Sequence, residues 1–432
     1  MKKTILQLSY DIKRIRRYRI SSIITKILIK LSLILIAVIC FPISLTLHIL
    51  GFRIASPFTS RIGHLAIEPD CIIKEIRLNN INLDPKKILL LSPKKICANR
   101  HLDSYWGNIF TVIRSPTLIW LLRGLSLFKV ANLQTKKFIR NIGGSQSCFQ
   151  IYSNWGDHMP ILSLSTDDEL YWNNLSRELG LPKNAWFVCA HARTGSYSEI
   201  DEPIQSYRNC NIANYALAID EIIKRGGWVI RIGDKMMPAL SQKEGVIDYS
   251  NSNLKSERMD VILCAKAKFI LGCSSGIACL ATVFGTPCAI TNLVPISCLW
   301  FTSKDLSIPK SIFRAGDKKP LMISELLNNN SSNYQYTKLY TDNGLTVVEN
   351  TKEEILDLTL DMFDKIEGEE ESAKNQLQLR NNISQILKPH HYSFGSQALI
   401  SIRYILNSVN RNSPLGKNLS QTITQASSKC PR

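Results

Sequence analysis

The 432-residue sequence predicts an α/β protein whose second half is built on a parallel sheet wound on both faces. Three observations carry this. Short apolar runs recur at Trp186–Ala190, Trp228–Ile232, Phe269–Leu271 and Cys288–Asn292. Helix-spaced segments separate them, with turns too short for antiparallel hairpins of that order. The runs end in polar or glycine-bearing tips: His191-Ala-Arg193-Thr-Gly195, Arg231-Ile-Gly233-Asp234 and Gly272-Cys-Ser274-Ser275-Gly276. In open α/β sheets, ligands bind outside the carboxyl ends of the strands. Three such ends in one half of the chain point to one anion-binding site.

Each element follows from local chemistry. Asn211 caps a helix whose apolar side is Ile212, Tyr215, Ile219, Ile222 and Ile223, and Gly226-Gly227 stops it. Helices are expected over 256–266, from Gly276 to Phe284, over 350–366 and 372–387, and from near Ser396. In the first half, residues 105–130 read as a helix broken at Pro116, and a short helix is expected near 167–180. Polar residues dominate from Asn407 onward, which predicts a disordered tail.

The net charge is +18, and 45 % of residues are apolar. Residues 1–30 hold nine lysines and arginines against Asp11 alone. This basic arm precedes a charge-free run from Leu31 to Leu50, about the length needed to cross ~30 Å of hydrocarbon. A basic arm beside an apolar run is the pattern of an anchor facing anionic lipid. Pro42 interrupts the run and Arg53 and Arg61 follow it, which favours a re-entrant or interfacial anchor on the cytoplasmic face of a bacterial inner membrane over a simple span. The remaining charge, about +10 of the +18, does not compel a nucleic-acid partner. Of twelve cysteines, Cys189, Cys264, Cys273, Cys279, Cys288 and Cys298 lie in or beside apolar runs, the setting of reduced core thiols. No spacing suggests a metal site, and no cofactor is implied.

Ser274-Ser275-Gly276 opens a helix after a strand, so first-turn N–H groups and the helix dipole face an anion there. The alternative is a serine cap with a packing glycine. Arg193 can fork onto a phosphate or carboxylate, with His191 on the same side and Tyr197 close by; the alternative is a core histidine and a structural ion pair. Arg231 and Asp234 divide evenly between ligand contact and structure. Gly63-His64 forms a possible matching loop in the first half, where a neutral His64 can take a proton from a hydroxyl. Arg258 and Asp260 read mainly as capping or ion-pair residues. The chain lacks a Gly-x-x-x-x-Gly-Lys-Ser/Thr phosphate loop, a dinucleotide fingerprint and a serine-hydrolase elbow.

The ordered set His191-Ala-Arg193 to Tyr197, Arg208-Asn209, Asn214-Tyr215, Gly227 to Asp234, Val246 to Tyr249, Arg258-Met-Asp260 and Gly272 to Gly276 resembles a family of bacterial glycosyltransferases with the GT-B fold. Arg61-Ile-Gly63-His64 resembles that family's N-terminal Gly-His segment, so the likeness covers roughly residues 60–300. His191, Arg193, Gly195 and Tyr197 are also distantly similar to the His-x-Arg-x-Gly-Asp-Tyr motif of fucosyltransferase-like enzymes. Ser196 stands at its acidic position, so a fucose donor is not carried over. The resemblance implies two Rossmann-like domains facing a cleft, and transfer of a sugar from a nucleotide-diphospho-sugar to a glycan or lipid-linked acceptor. It implies donor binding by His191, Arg193, Tyr197, Arg231, Gly233, Asp234, Ser274, Ser275 and Gly276, with Gly63 on the acceptor side and His64 as catalytic base. The expected layout is a basic arm (1–30), an anchor (31–50), an acceptor-side domain (51–183), a donor-binding domain (184–345), C-terminal helices (346–406) and a tail (407–432). The competing reading is a non-catalytic nucleotide- or sugar-binding protein, or a membrane-surface interaction protein.

Overall fold

A computed structural model describes residues 20–39, 41–125, 144–195, 202–240, 242–369 and 387–410. Tyr197, the expected helix over 372–386 and the tail beyond Asn410 lie outside them. The chain divides into two compact units.

The smaller unit comprises residues up to Thr59, Asn82–Cys97 and Trp106–Thr135. Its sheet is parallel, in the order β1 (Arg53–Ala55), β2 (Ile88–Leu91), β3 (Thr111–Ile113). Ile54, Leu89 and Leu91 pack against Ile119, Leu122 and Leu125 of helix Pro116–Leu125. The expected single helix over 105–130 is therefore two helices with a strand between them. Thr111-Val112-Ile113 is β-branched at every position and completes the sheet beside β2. Pro116 starts the second helix, where its missing N–H costs nothing. Helices Ile20–Ile39 and Phe41–Ile49 precede β1. Among the described residues no single helix is long and apolar enough to cross a membrane. Ile27–Ile36 and Phe41–Ile49 meet that requirement only together, bent by 63°. The break falls just before Pro42, which sits in the first turn of the second helix.

The larger unit comprises Ser60–Ile81, Ala98–Tyr105 and Lys136–Arg432. The compact units thus depart from the linear partition at residue 183. The reason is packing: helix Ile62–Arg77, expected in an acceptor-side domain, lies against helix Gly276–Val283.

The centre of this unit is a seven-stranded, all-parallel sheet. Its strands are β4 (Phe187–His191), β5 (Trp228–Arg231), β6 (Val246–Ile247), β7 (Ile270–Cys273), β8 (Cys288–Leu293), β9 (Leu306–Pro309) and β12 (Leu399–Ile400). The spatial order is β12-β9-β8-β7-β4-β5-β6. The chain runs outward from β4 to β6, returns to pair β7 with β4, then runs outward the other way. That reversal is the topological switch point of a doubly wound sheet. Every residue of β4, β7 and β8 is buried, as strands covered on both faces require. β10 (Ser311–Arg314) and β11 (Leu345–Val348) form a separate antiparallel pair.

The helix from Asn211 appears as expected. Asn211 Oδ1 accepts from Ala213 N–H, a 3-10 turn leads into helix Ala216–Lys224, and Gly226 takes φ +81° after it. The expected helix near Ser396 is preceded by β12 and begins at Ile402. Cys189, Cys264, Cys273 and Cys288 are buried free thiols, while Cys279 and Cys298 are partly covered.

Candidate functional site

The switch point brings two of the polar strand ends together. β4 pairs with β7 so that His191 lies opposite Gly272, and Arg193 N–H donates to Cys273 Sγ at 3.2 Å. Arg193 therefore begins where Ser274-Ser275-Gly276 begins. The helix Gly276–Val283 starts there with Ser275 as its extended cap residue. Ser275 Oγ is buried and has no hydrogen-bond partner.

Three cations gather around this point. Arg193 Nη1 donates to Gln205 O (3.2 Å) and to Asn209 Oδ1. Arg208 Nε donates to Ser274 O at 3.1 Å. Lys310, just past β9 and 4 % exposed, donates to Asn209 O. Among the described residues none of the three forms an ion pair with a carboxylate. Burial and the neighbouring Arg208 hold the Arg193 guanidinium below the usual arginine range. Burial, with Arg193 adding repulsion, lowers the Lys310 ammonium. Both shifts mark positive charge held without compensation. Glu202 lies near Arg193, but its Oε1 accepts from Asn209 Nδ2 at 2.7 Å. A Cβ on Gly195 would meet the Glu202 carboxyl carbon at 2.2 Å, so glycine is required where this loop folds back.

The other predicted residues divide. His191 is buried, with Nδ1 3.2 Å from Ile232 O, and it lines the loop at Gly233. Gly233 takes φ +133°, and a Cβ there would sit 2.9 Å from His191 Nδ1 and 2.7 Å from Met237 Sδ. That close approach explains the glycine. Arg231 is 2 % exposed with Nε on Asp248 Oδ1 at 2.7 Å, the geometry of a structural ion pair, and its Nη2 has no partner. Asp234 Oδ1 accepts from Met236 N–H and shapes a turn. Arg258 pairs with Asp168 and Asp167, and Asp260 with Lys255.

Gly63 and His64 belong to the same compact unit as the cations, which corrects the expectation that they face the site from another lobe. The two glycines make this contact. A Cβ on Gly276 would lie 2.8 Å from Gly63 N, and one on Gly63 would lie 3.0 Å from Gly276 Cα. One turn along the helix, Glu68 Oε1 lies 2.8 Å from His64 Nδ1. Glu68 is 4 % exposed, whereas the His64 side chain is 45 % exposed. An ionised carboxylate only accepts, so this contact puts the proton on Nδ1 and makes Nε2 the basic nitrogen.

Sequence reasoning missed Lys310 and Glu68. Both carried a signal. Lys310 ends an apolar strand run (Leu306-Ser-Ile-Pro309) as Arg193 nearly does, and Glu68 stands four residues after His64 on one helix face. The Cys273 sulfur also lies here. A hydrogen bond from the Cys210 thiol, aided by His191 and the Arg193 N–H, pulls Cys273 down to about 5 and leaves Cys210 raised. Among the described residues no group of three or more His, Cys, Asp or Glu side chains is arranged to hold a metal ion.

No family model matches the chain. No curated protein matches it. Two solved structures are similar, and both are glycosyltransferases. One is the iron-containing dodecameric glycosyltransferase TibC from enterotoxigenic E. coli H10407, at TM-score 0.32 and 13 % identity, over 57 % of this chain and 59 % of that one. The other is the glycosyl transferase family 9 structure from Veillonella parvula DSM 2008, at TM-score 0.23 and 9 % identity, over 50 % of this chain and 59 % of that one. The chain thus spans about three fifths of the length of either.

Proposed function

We propose that this protein is a glycosyltransferase of GT-B type. In this reading it moves a sugar from a nucleotide-diphospho-sugar to a glycan or lipid-linked acceptor, tethered at the cytoplasmic face of a bacterial inner membrane. The observation that carries it is the convergence of Arg193, Arg208 and Lys310 on the Ser275-capped helix tip, with no carboxylate paired to any of them.

When the bond from the sugar's anomeric carbon to the diphosphate oxygen breaks, its electron pair stays on the diphosphate and negative charge grows there. Cations and N–H groups already fixed at that position stabilise the charge without reorganising. The half-buried setting strengthens them relative to water. Three cations supply the neutralisation from the protein itself, so a metal-independent reaction follows. On the acceptor, the attacking hydroxyl forms the new bond to the anomeric carbon and gives its proton to His64 Nε2. Glu68 holds the ring and stabilises the imidazolium that results. Tyr197, His191 and Gly233 complete the donor side in this reading. Arg231 and Asp234 support it from behind.

The test is thermal unfolding of the full chain with UDP, GDP, CDP, ADP and dTDP, followed by their sugar conjugates. A ligand that binds only the folded state raises the midpoint. One of the five is expected to do so, to lose its effect in Arg193→Ala, and to undergo slow sugar release in the parent. If none shifts the midpoint, the anion-site reading is wrong. If one binds but no sugar release or transfer occurs, the protein is a nucleotide-binding module.

A further inference from the structure

We infer that the smaller unit docks on one leaflet of an anionic bilayer through a three-helix platform, in which helix Pro116–Leu125 is a membrane-contacting element alongside Ile20–Ile39 and Phe41–Ile49.

Helix Pro116–Leu125 has two apolar sides. Ile119, Leu122 and Leu125 are buried against β1 and β2. Leu118 and Trp120 stay 46 % and 44 % exposed. A helix that is apolar on every side needs a non-aqueous partner on whichever side the protein leaves open. The two preceding helices extend this surface. Leu31, Leu35 and Val38 are 56 %, 61 % and 62 % exposed, and Ile43 and Leu45 are 50 % and 41 % exposed. Monomeric soluble proteins seldom expose so many large apolar side chains in one region.

The three helices are locked to one another. A Cβ on Gly124 would lie 2.7 Å from Ile36 Cγ2 and 3.2 Å from Leu33 O, so the first helix crosses Pro116–Leu125 at backbone contact. Ser44 Oγ donates to Leu125 O at 3.1 Å and ties in the second helix. Leu33 and Ile36 are thereby held on a helix that is itself packed on a sheet. A helix so held lies along the protein body and cannot stand in mid-bilayer with lipid on all sides. The 63° bend before Phe41 returns the chain to β1. Both flanks of residues 20–49 therefore stay on one side of the membrane.

Charge decides the occupant. Residues 20–59, 82–97 and 106–125 of this unit hold nine lysines and arginines against one carboxylate, Asp84. Cations around an apolar platform with a tryptophan match an interface rich in anionic headgroups.

This inference rests on the tether proposed above and not on the transfer chemistry. The experiment is co-flotation of the full chain with vesicles of phosphatidylcholine, with and without phosphatidylglycerol. The parent is expected to float, more strongly with the anionic lipid. Leu118→Asp with Trp120→Asp is expected to weaken binding about tenfold or more, because two charges would enter the interface. Far-UV circular dichroism and the nucleoside-diphosphate thermal shift should be unchanged in that variant. Should it misfold, the second readout decides: tags at the N-terminus and after residue 59 must both be cleaved by protease outside sealed proteoliposomes. Undiminished flotation of a folded double variant, or tags on opposite sides, overturns the platform. Either result with nucleotide binding intact leaves the transferase reading standing.

Discussion

Arg193→Gln tests the anion site through a stability difference that the geometry lets us size. In the ligand-free protein the substitution removes hydrogen bonds to Gln205 O and Asn209 Oδ1. It also removes a guanidinium that burial and Arg208 both disfavour. These effects oppose one another, and the net change in ligand-free stability should stay within about 1 kcal/mol. The bound state has no such offset. Losing a charge-assisted contact to a diphosphate costs about 2 kcal/mol, a rise in Kd of roughly 30-fold. At ligand near 100 times the parent Kd, binding stabilises the parent by about 2.7 kcal/mol. The same concentration is only about three times the variant's Kd, and its stabilisation falls to about 0.9 kcal/mol. Urea unfolding with and without the nucleoside diphosphate found by the thermal screen measures both numbers. An equal ligand-induced gain in parent and variant would refute the reasoning, since Arg193 would then not touch the anion.

Three further outcomes follow from other contacts. Gly276→Ala should destabilise the fold by about 1–3 kcal/mol in urea unfolding, because the added methyl meets the Gly63 backbone at 2.8 Å; a neutral effect would mean the helices part freely. Glu68→Gln should lower kcat and shift the acid limb of the pH–rate profile downward, since a neutral partner no longer favours the imidazolium; an unmoved profile would remove His64 as base. Burial raises Asp305 from 3.8 to about 6 even though Thr302 and Cys288 donate to it. Its contribution to stability is thus full below pH ~4 and is lost as pH rises through about 6, a fall on the order of 3 kcal/mol. Asp305→Asn should flatten that part of the stability–pH curve, and a slope equal to the parent's would show that another group sets it.

The strand rhythm of the second half was legible because parallel strands buried on both faces must be continuously apolar, and β4, β7 and β8 are. Their polar tips were legible for the same reason, since a charge directly after such a run has to stand at the sheet edge. Three features were not. Thr111–Ile113 looked like part of a helix because three residues cannot display a period. It is a strand only because β2 is there to pair with it. Helix Ile62–Arg77 was read as part of another domain because linear order does not reveal which helix a glycine lets through. Lys310 lies 117 positions after Arg193, and nothing local links them.

The sequence by itself determined the doubly wound sheet, the Arg193 and Ser274–Gly276 tips, and the basic, apolar N-terminal region. Those depend on side-chain period and composition, which are local properties. Tertiary structure alone decided that β7 returns to lie beside β4, that Arg208 and Lys310 join Arg193 with no counter-charge, and that Gly63 meets Gly276. Each of these brings together groups far apart in the chain, and only packing of the complete sheet fixes such distances.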